Sequence, residues 1–154
     1  RPMVSPHALG PQSRLLAPRG PRMPHLTVEY SANLERDVDL PELLETLHTA
    51  TAAIEAFPLA GLRTRAERRD HFRIADGYAD NSFIHVVLRI GRGRPLDVRQ
   101  QAGETLFETL TDYLAPISAR RPLAISFEMQ ELDPTLNYKT GNIRDYIAKR
   151  GSAS

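Results

Sequence analysis

Two runs of period-two alternation, SFIHVVLRI (82–90) and LAISFEMQEL (123–132), enclose a stretch with helical spacing. That order restricts the fold more than any other feature of the chain. In the first run Ile84, Val86, Leu88 and Ile90 share one face, and Phe83, His85, Val87 and Arg89 share the other, as in a half-buried strand. GRGRP (91–95) then turns the chain into a helix expected over 96–114, with Ala102, Leu106, Leu110 and Phe107 facing inward. Pro116 and Pro122 are expected to bracket a loop before the last strand. A strand, a crossover helix and a second strand pair in parallel and leave the helix on one face of their sheet.

The first half repeats this order without repeating the sequence. HLTVEYS (25–31) alternates as a strand, and PELLETLHTATAAIEAF (41–57) follows as a helix. Leu40, Leu43, Leu44, Leu47, Ala50 and Ile54 fall on one side of that helix, and Pro41 suits its first turn. Pro58 and Gly61 break it, and FRIAD (72–76) reads as the second strand of the unit. The expected class is therefore α/β (α+β), with two consecutive β-α-β units forming one sheet and two helices packed on it. The polar run after 132 reads as an arm that packs elsewhere and frays near Gly151.

Charge and composition narrow the function. Residues 1–22 hold Arg1, Arg14, Arg19 and Arg22, no acidic residue, and five of the 12 prolines. Those four arginines exceed the net charge of +1 for the whole chain, so the body is acidic. An acidic body argues against nucleic acid as a partner, because such binding rests largely on phosphate neutralisation. No run approaches the ~20 apolar residues of a membrane span, and no membrane partner is expected. With no cysteine there is no disulfide and no thiolate metal site, which suits a reducing, cytoplasmic setting. The lead has no helical or strand period and is expected to be disordered, either a mis-assigned upstream start or a processed leader.

Familiar catalytic motifs are absent, including the nucleophile elbow, the paired-histidine zinc helix and the phosphate loop. His25, His48, His71 and His85 lack metal-ligand spacing and read as surface or partner-satisfied imidazoles. Glu128 and Glu131 read as solvated positions around the last strand. GRGRP resembles a minor-groove hook only superficially, since it lies between a strong strand and a strong helix. The remaining candidate is Pro24, which follows Met23 at the junction of lead and body. Inside a chain its nitrogen is an amide and no base. As a first residue it would be a rigid secondary amine, whose pKa falls when apolar burial and nearby arginines disfavour the charged form. A base tuned towards neutrality suits proton abstraction next to a carbonyl.

From Pro24 to about residue 147 the chain resembles the 5-carboxymethyl-2-hydroxymuconate isomerases of the tautomerase superfamily. The resemblance is carried by PHLTVEYSANL at Pro24, FPLAGLRTR (57–65), IADG (74–77) and FIHVVLRIGRGR (83–94). RQQAGETLFETL (99–110) and LAISFEMQELDPTLNYKTGNI (123–143) extend it. The resemblance implies a tautomerase-like homotrimer, no metal and no cofactor, with Pro24 as the catalytic amine. It implies Arg63 and Arg94 as substrate-binding residues, and as substrate a dienol bearing three carboxylates from homoprotocatechuate or 4-hydroxyphenylacetate breakdown. The implied enzyme is a delta-isomerase that transposes C=C bonds. Arginine forks suit carboxylates and do not compete for a shuttled proton. Arg65 and Arg92 read as surface charges.

The expected organisation is a leader over 1–23, an isomerase domain over 24–147 and a frayed tail over 148–154. Two rival readings remain: a tautomerase of a smaller 2-hydroxymuconate-type diacid, and a non-catalytic trimeric binding protein in which Pro24 stays blocked.

Overall fold

The computed structural model describes residues 24–151, so the expected leader and residues 152–154 lie outside the described chain. The first unit runs from β1 (His25–Ser31) through α1 (Leu40–Ala52) to β2 (Arg63–Arg69). The second runs from β3 (Ser82–Gly91) through α2 (Leu96–Ser118) to β4 (Leu123–Leu132), and α3 (Ile143–Gly151) follows. The strands form one sheet in the order β2-β1-β3-β4. Each unit pairs its own strands in parallel, and the two units join through the antiparallel pair β1 and β3.

Alternation decides which face is covered. Leu26, Val28 and Tyr30 of β1 and Ile84, Val86, Leu88 and Ile90 of β3 are buried. They share one core with Leu43 and Leu47 of α1 and with Ala102, Leu106, Leu110 and Leu114 of α2. Burying a side chain of this size contributes about 1.5–3 kcal/mol, so these two inner strands anchor the sheet. Helix α1 starts where the sequence allows it to start. The Asp39 carboxylate accepts the Glu42 amide at 3.2 Å, and Pro41 occupies the first turn, where its missing N–H loses no bond.

Four expectations need correction. FRIAD is not a strand: the Gly77 amide donates to the Ile74 carbonyl at 2.8 Å, closing a turn in which Ala75 (φ 50°) and Gly77 (φ 82°) are left-handed. The strand of the first unit is instead RTRAERR, on the outer edge of β1. Helix α1 ends at Ala52 rather than running to 57. Helix α2 passes through Pro116, since burial of Leu114 and Ile117 holds its final turn against the core. Phe107 on α2 is exposed rather than inward. The polar arm after β4 does pack, for α3 lies against the 3-10 turn Leu59–Gly61, and it stays helical to Gly151.

Candidate active site

One end of the sheet gathers every segment that carried candidate chemistry. Parallel pairing puts the starts of β1 and β2 side by side, with His25 opposite Arg63. Antiparallel pairing puts the end of β3 at the same place, with His25 opposite Arg89. Strand β4 finishes there too, its Leu132 beside Gly91. Pro24, Arg63, the GRGR segment and the arm after β4 are therefore neighbours by register, although they are far apart in sequence.

Pro24 is buried, and its carbonyl accepts the Arg63 amide at 3.1 Å. The ladder thus brings Pro24 and Arg63 together. The Arg63 side chain is half-buried, and its Nη1 donates to the Gly61 carbonyl at 3.3 Å. A cavity of about 310 Å3 opens beside it, lined by His25, Arg63, Leu132 and residues 137–140, including Tyr138 and Lys139. That volume is at the lower end of the range used by small-molecule sites, roughly 300–1,000 Å3.

Arg94, the other candidate arginine, follows the end of β3 in the same region. Its Nε and Nη2 donate to the Ala56 carbonyl at 3.0 and 2.6 Å, and its Nη1 donates to the Gly91 carbonyl at 3.1 Å. The guanidinium also lies over the Phe57 ring, 5.0 Å from its centroid. Ala56 and Phe57 lead through the Leu59–Gly61 turn into Arg63, so Arg94 braces the segment that presents Arg63. Gly93 adopts φ 119°, a conformation that strains any other residue, and this lets GRGR turn back on itself.

His25 is the residue that sequence reasoning passed over. Arg65 Nη1 lies 3.2 Å from His25 Nδ1. Burial first, then the charges of Arg65, Arg63 and Arg89, holds the imidazole below its usual pKa of 6.5. Only its place next to Pro24 could have marked it. Tyr138 and Lys139 were also missed, since nothing in a polar arm announces that it folds back over the strand ends. The other imidazoles behave as expected: His48 pairs with Thr64 Oγ1 at 2.7 Å, and His85 with Ser126 Oγ at 2.6 Å. Arg65 and Arg92 are exposed. Glu131 pairs with Arg99 at 3.3 Å rather than standing alone in solvent.

Among the described residues no helix is long and apolar enough to cross a membrane. The family model of 5-carboxymethyl-2-hydroxymuconate isomerase matches residues 24–147, beginning at Pro24. The chain belongs to the 5-carboxymethyl-2-hydroxymuconate isomerase family. It is 46% identical over 121 residues to the 5-carboxymethyl-2-hydroxymuconate Delta-isomerase of Escherichia coli, covering 79% of this chain and 96% of that one. A crystal structure of a 5-carboxymethyl-2-hydroxymuconate isomerase from Deinococcus radiodurans R1 is 37% identical, with a TM-score of 0.76 over 82% of this chain and 96% of that one. A second, of a 5-carboxymethyl-2-hydroxymuconate delta-isomerase, is 31% identical, with a TM-score of 0.77 over 82% and 94%. The mixed sheet with its helices is thus the tautomerase-like fold expected for this isomerase family.

Proposed function

We propose that the protein isomerises 5-carboxymethyl-2-hydroxymuconate to its keto form, with Pro24 as the proton carrier. The observation that carries this reading is the joining of Pro24 and Arg63 at one end of the sheet, through the 3.1 Å bond from the Arg63 amide to the Pro24 carbonyl. A family match that begins at Pro24 supports the same assignment.

The reaction moves one proton. The neutral Pro24 amine takes the proton of the 2-hydroxyl, and electrons shift along the dienol as the ketone forms. The prolinium then protonates carbon at the far end of the conjugated system, so an O–H bond is replaced by a C–H bond and the amine is regenerated. One group serves as base and then as acid. The Arg63 guanidinium binds a substrate carboxylate and stabilises negative charge developing on the dienolate. Arg94 supports Arg63 through Ala56 and Phe57, and its charge adds to the field on the substrate. The mechanism needs no cofactor. We place the working protein in the cytoplasm as a homotrimer, in homoprotocatechuate and 4-hydroxyphenylacetate catabolism.

The amine exists only when Pro24 is the first residue. Protein beginning at Pro24 and protein retaining residues 1–23 should be compared on the dienol by ultraviolet absorbance. Turnover confined to the first form supports the assignment. Equal turnover by both forms overturns it. Parallel assays with 2-hydroxymuconate test the smaller diacid as substrate.

A further inference from the structure

His25 stands between arginines on both sides of its strand. Its partner in β2 is Arg63, its partner in β3 is Arg89, and Arg65 approaches its ring from β2. Lys139 of the arm lines the same cavity. An arginine side chain has donors and no acceptor, so the 3.2 Å contact from Arg65 Nη1 requires His25 Nδ1 to carry no proton. The ring is then neutral, and its single proton sits on Nε2. A second proton would have to displace Arg65 and add positive charge among several cations. The imidazole is thereby fixed as one tautomer with one donor, beside the arginine that the proposed mechanism uses.

We infer that His25 is a substrate-positioning residue, whose Nε2–H donates to a carboxylate of the substrate held by Arg63 in the cavity that both line. This rests on the proposed function for the identity of the substrate, but not on Pro24 acting as base. A neutral donor suits this position. It adds direction to a site already rich in positive charge, and it cannot take the proton that Pro24 shuttles. Depression of its pKa by burial and by Arg65, Arg63 and Arg89 accords with a ring that stays uncharged while the enzyme works.

Ring nitrogens can be followed by 15N NMR in the intact protein, with the His25 signals assigned by their loss in His25→Gln. The probe is trans,trans-muconate, a conjugated dicarboxylate without the 2-hydroxyl. We expect a neutral Nε2–H tautomer at pH 7 and a shift of the His25 Nε2 signal as muconate saturates the protein. In steady-state assays His25→Leu should raise KM about tenfold and change kcat little, the loss of about one hydrogen bond to a charged group. His25→Gln, which keeps a donor, should recover most of that loss. A His25 ring charged at pH 7, or an Nε2 signal unmoved at saturation, overturns the inference, as does a parental KM in His25→Leu. If the dienol is not turned over while Nε2 still responds to muconate, the Pro24 mechanism fails and the His25 contact stands.

Discussion

At the scale of single residues, the two candidate arginines differ in what holds them. Arg94 satisfies the Ala56 and Gly91 carbonyls and covers the Phe57 ring, which is itself buried. Removing it leaves carbonyls short of partners, and each bond lost from a charged donor is worth about 1.5–3 kcal/mol. Arg94→Ala should therefore lower the thermal midpoint clearly, with activity falling as the Arg63 segment loosens. Arg63 is half-buried at the cavity wall, and its guanidinium is proposed to meet substrate. Arg63→Ala, which gives up the 3.3 Å bond to the Gly61 carbonyl, should lower the thermal midpoint less than Arg94→Ala does, and should lower kcat/KM on the order of 10- to 100-fold, the kinetic equivalent of about 1.5–3 kcal/mol. Paired melting curves and steady-state kinetics on the two variants check both statements. Similar melting losses in both would contradict the division of roles.

At the scale of elements, the end of the sheet opposite the cavity is tied by ions. Asp37, just after the 3-10 turn Ala32–Arg36, accepts hydrogen bonds from Arg121 and Arg120 in the connection between α2 and β4. The Arg121 hydrogen bond, then the nearby arginine charges, holds the Asp37 carboxyl below its ordinary 3.8. A carboxyl with a lowered folded pKa contributes stability above its unfolded value, and that stability is lost as pH falls through the folded value. Asp37→Asn should therefore melt lower than the parent by a constant margin at pH 5 and above. The margin should shrink below pH 3.8; melting curves across that range, in which it stays fixed, would remove Asp37 from the acid response. Elements such as this turn were only partly legible in the sequence. The inner strands β1 and β3, and β4, announced themselves because each alternates apolar residues over its whole length. Strand β2 did not, since its helix-facing positions are Thr64, Ala66 and Arg68, with one apolar side chain among them. It is a strand because β1 offers a free edge, a tertiary cause that leaves little trace in local pattern. Phe72 and Ile74 offered a false alternation too short to resist the turn closed by Gly77. The site divides similarly. Pro24 and Arg63 could be named from the residues and the family resemblance. The surroundings of His25 exist only once β2 and β3 flank β1.

At the scale of the whole molecule, the helices of the two units cover one face of the sheet and leave the other face open among the described residues. The open face carries the alternate set: His25, Thr27 and Glu29 of β1, Phe83, His85 and Val87 of β3, and Ser126 and Glu128 of β4. Phe83 and Val87 are half-buried there among charged neighbours. The cavity lies at the rim of this face, because His25 and Arg63 belong to the same alternate set. A homotrimer that buries the open face would therefore order the rim on which the substrate sits, so assembly and activity should fall together. Sedimentation equilibrium should give three chains per particle. Val87→Glu would place an unpaired carboxylate in the face that such a trimer buries, and an uncompensated buried charge costs about 3–5 kcal/mol. That loss raises the dissociation constant by roughly 100- to 4,000-fold. At micromolar concentration the particle mass of this variant should drop and its turnover should drop with it, with both recovering as the protein is concentrated. A Val87→Glu protein that keeps three chains and parental turnover would show that the open face is not the one the subunits share.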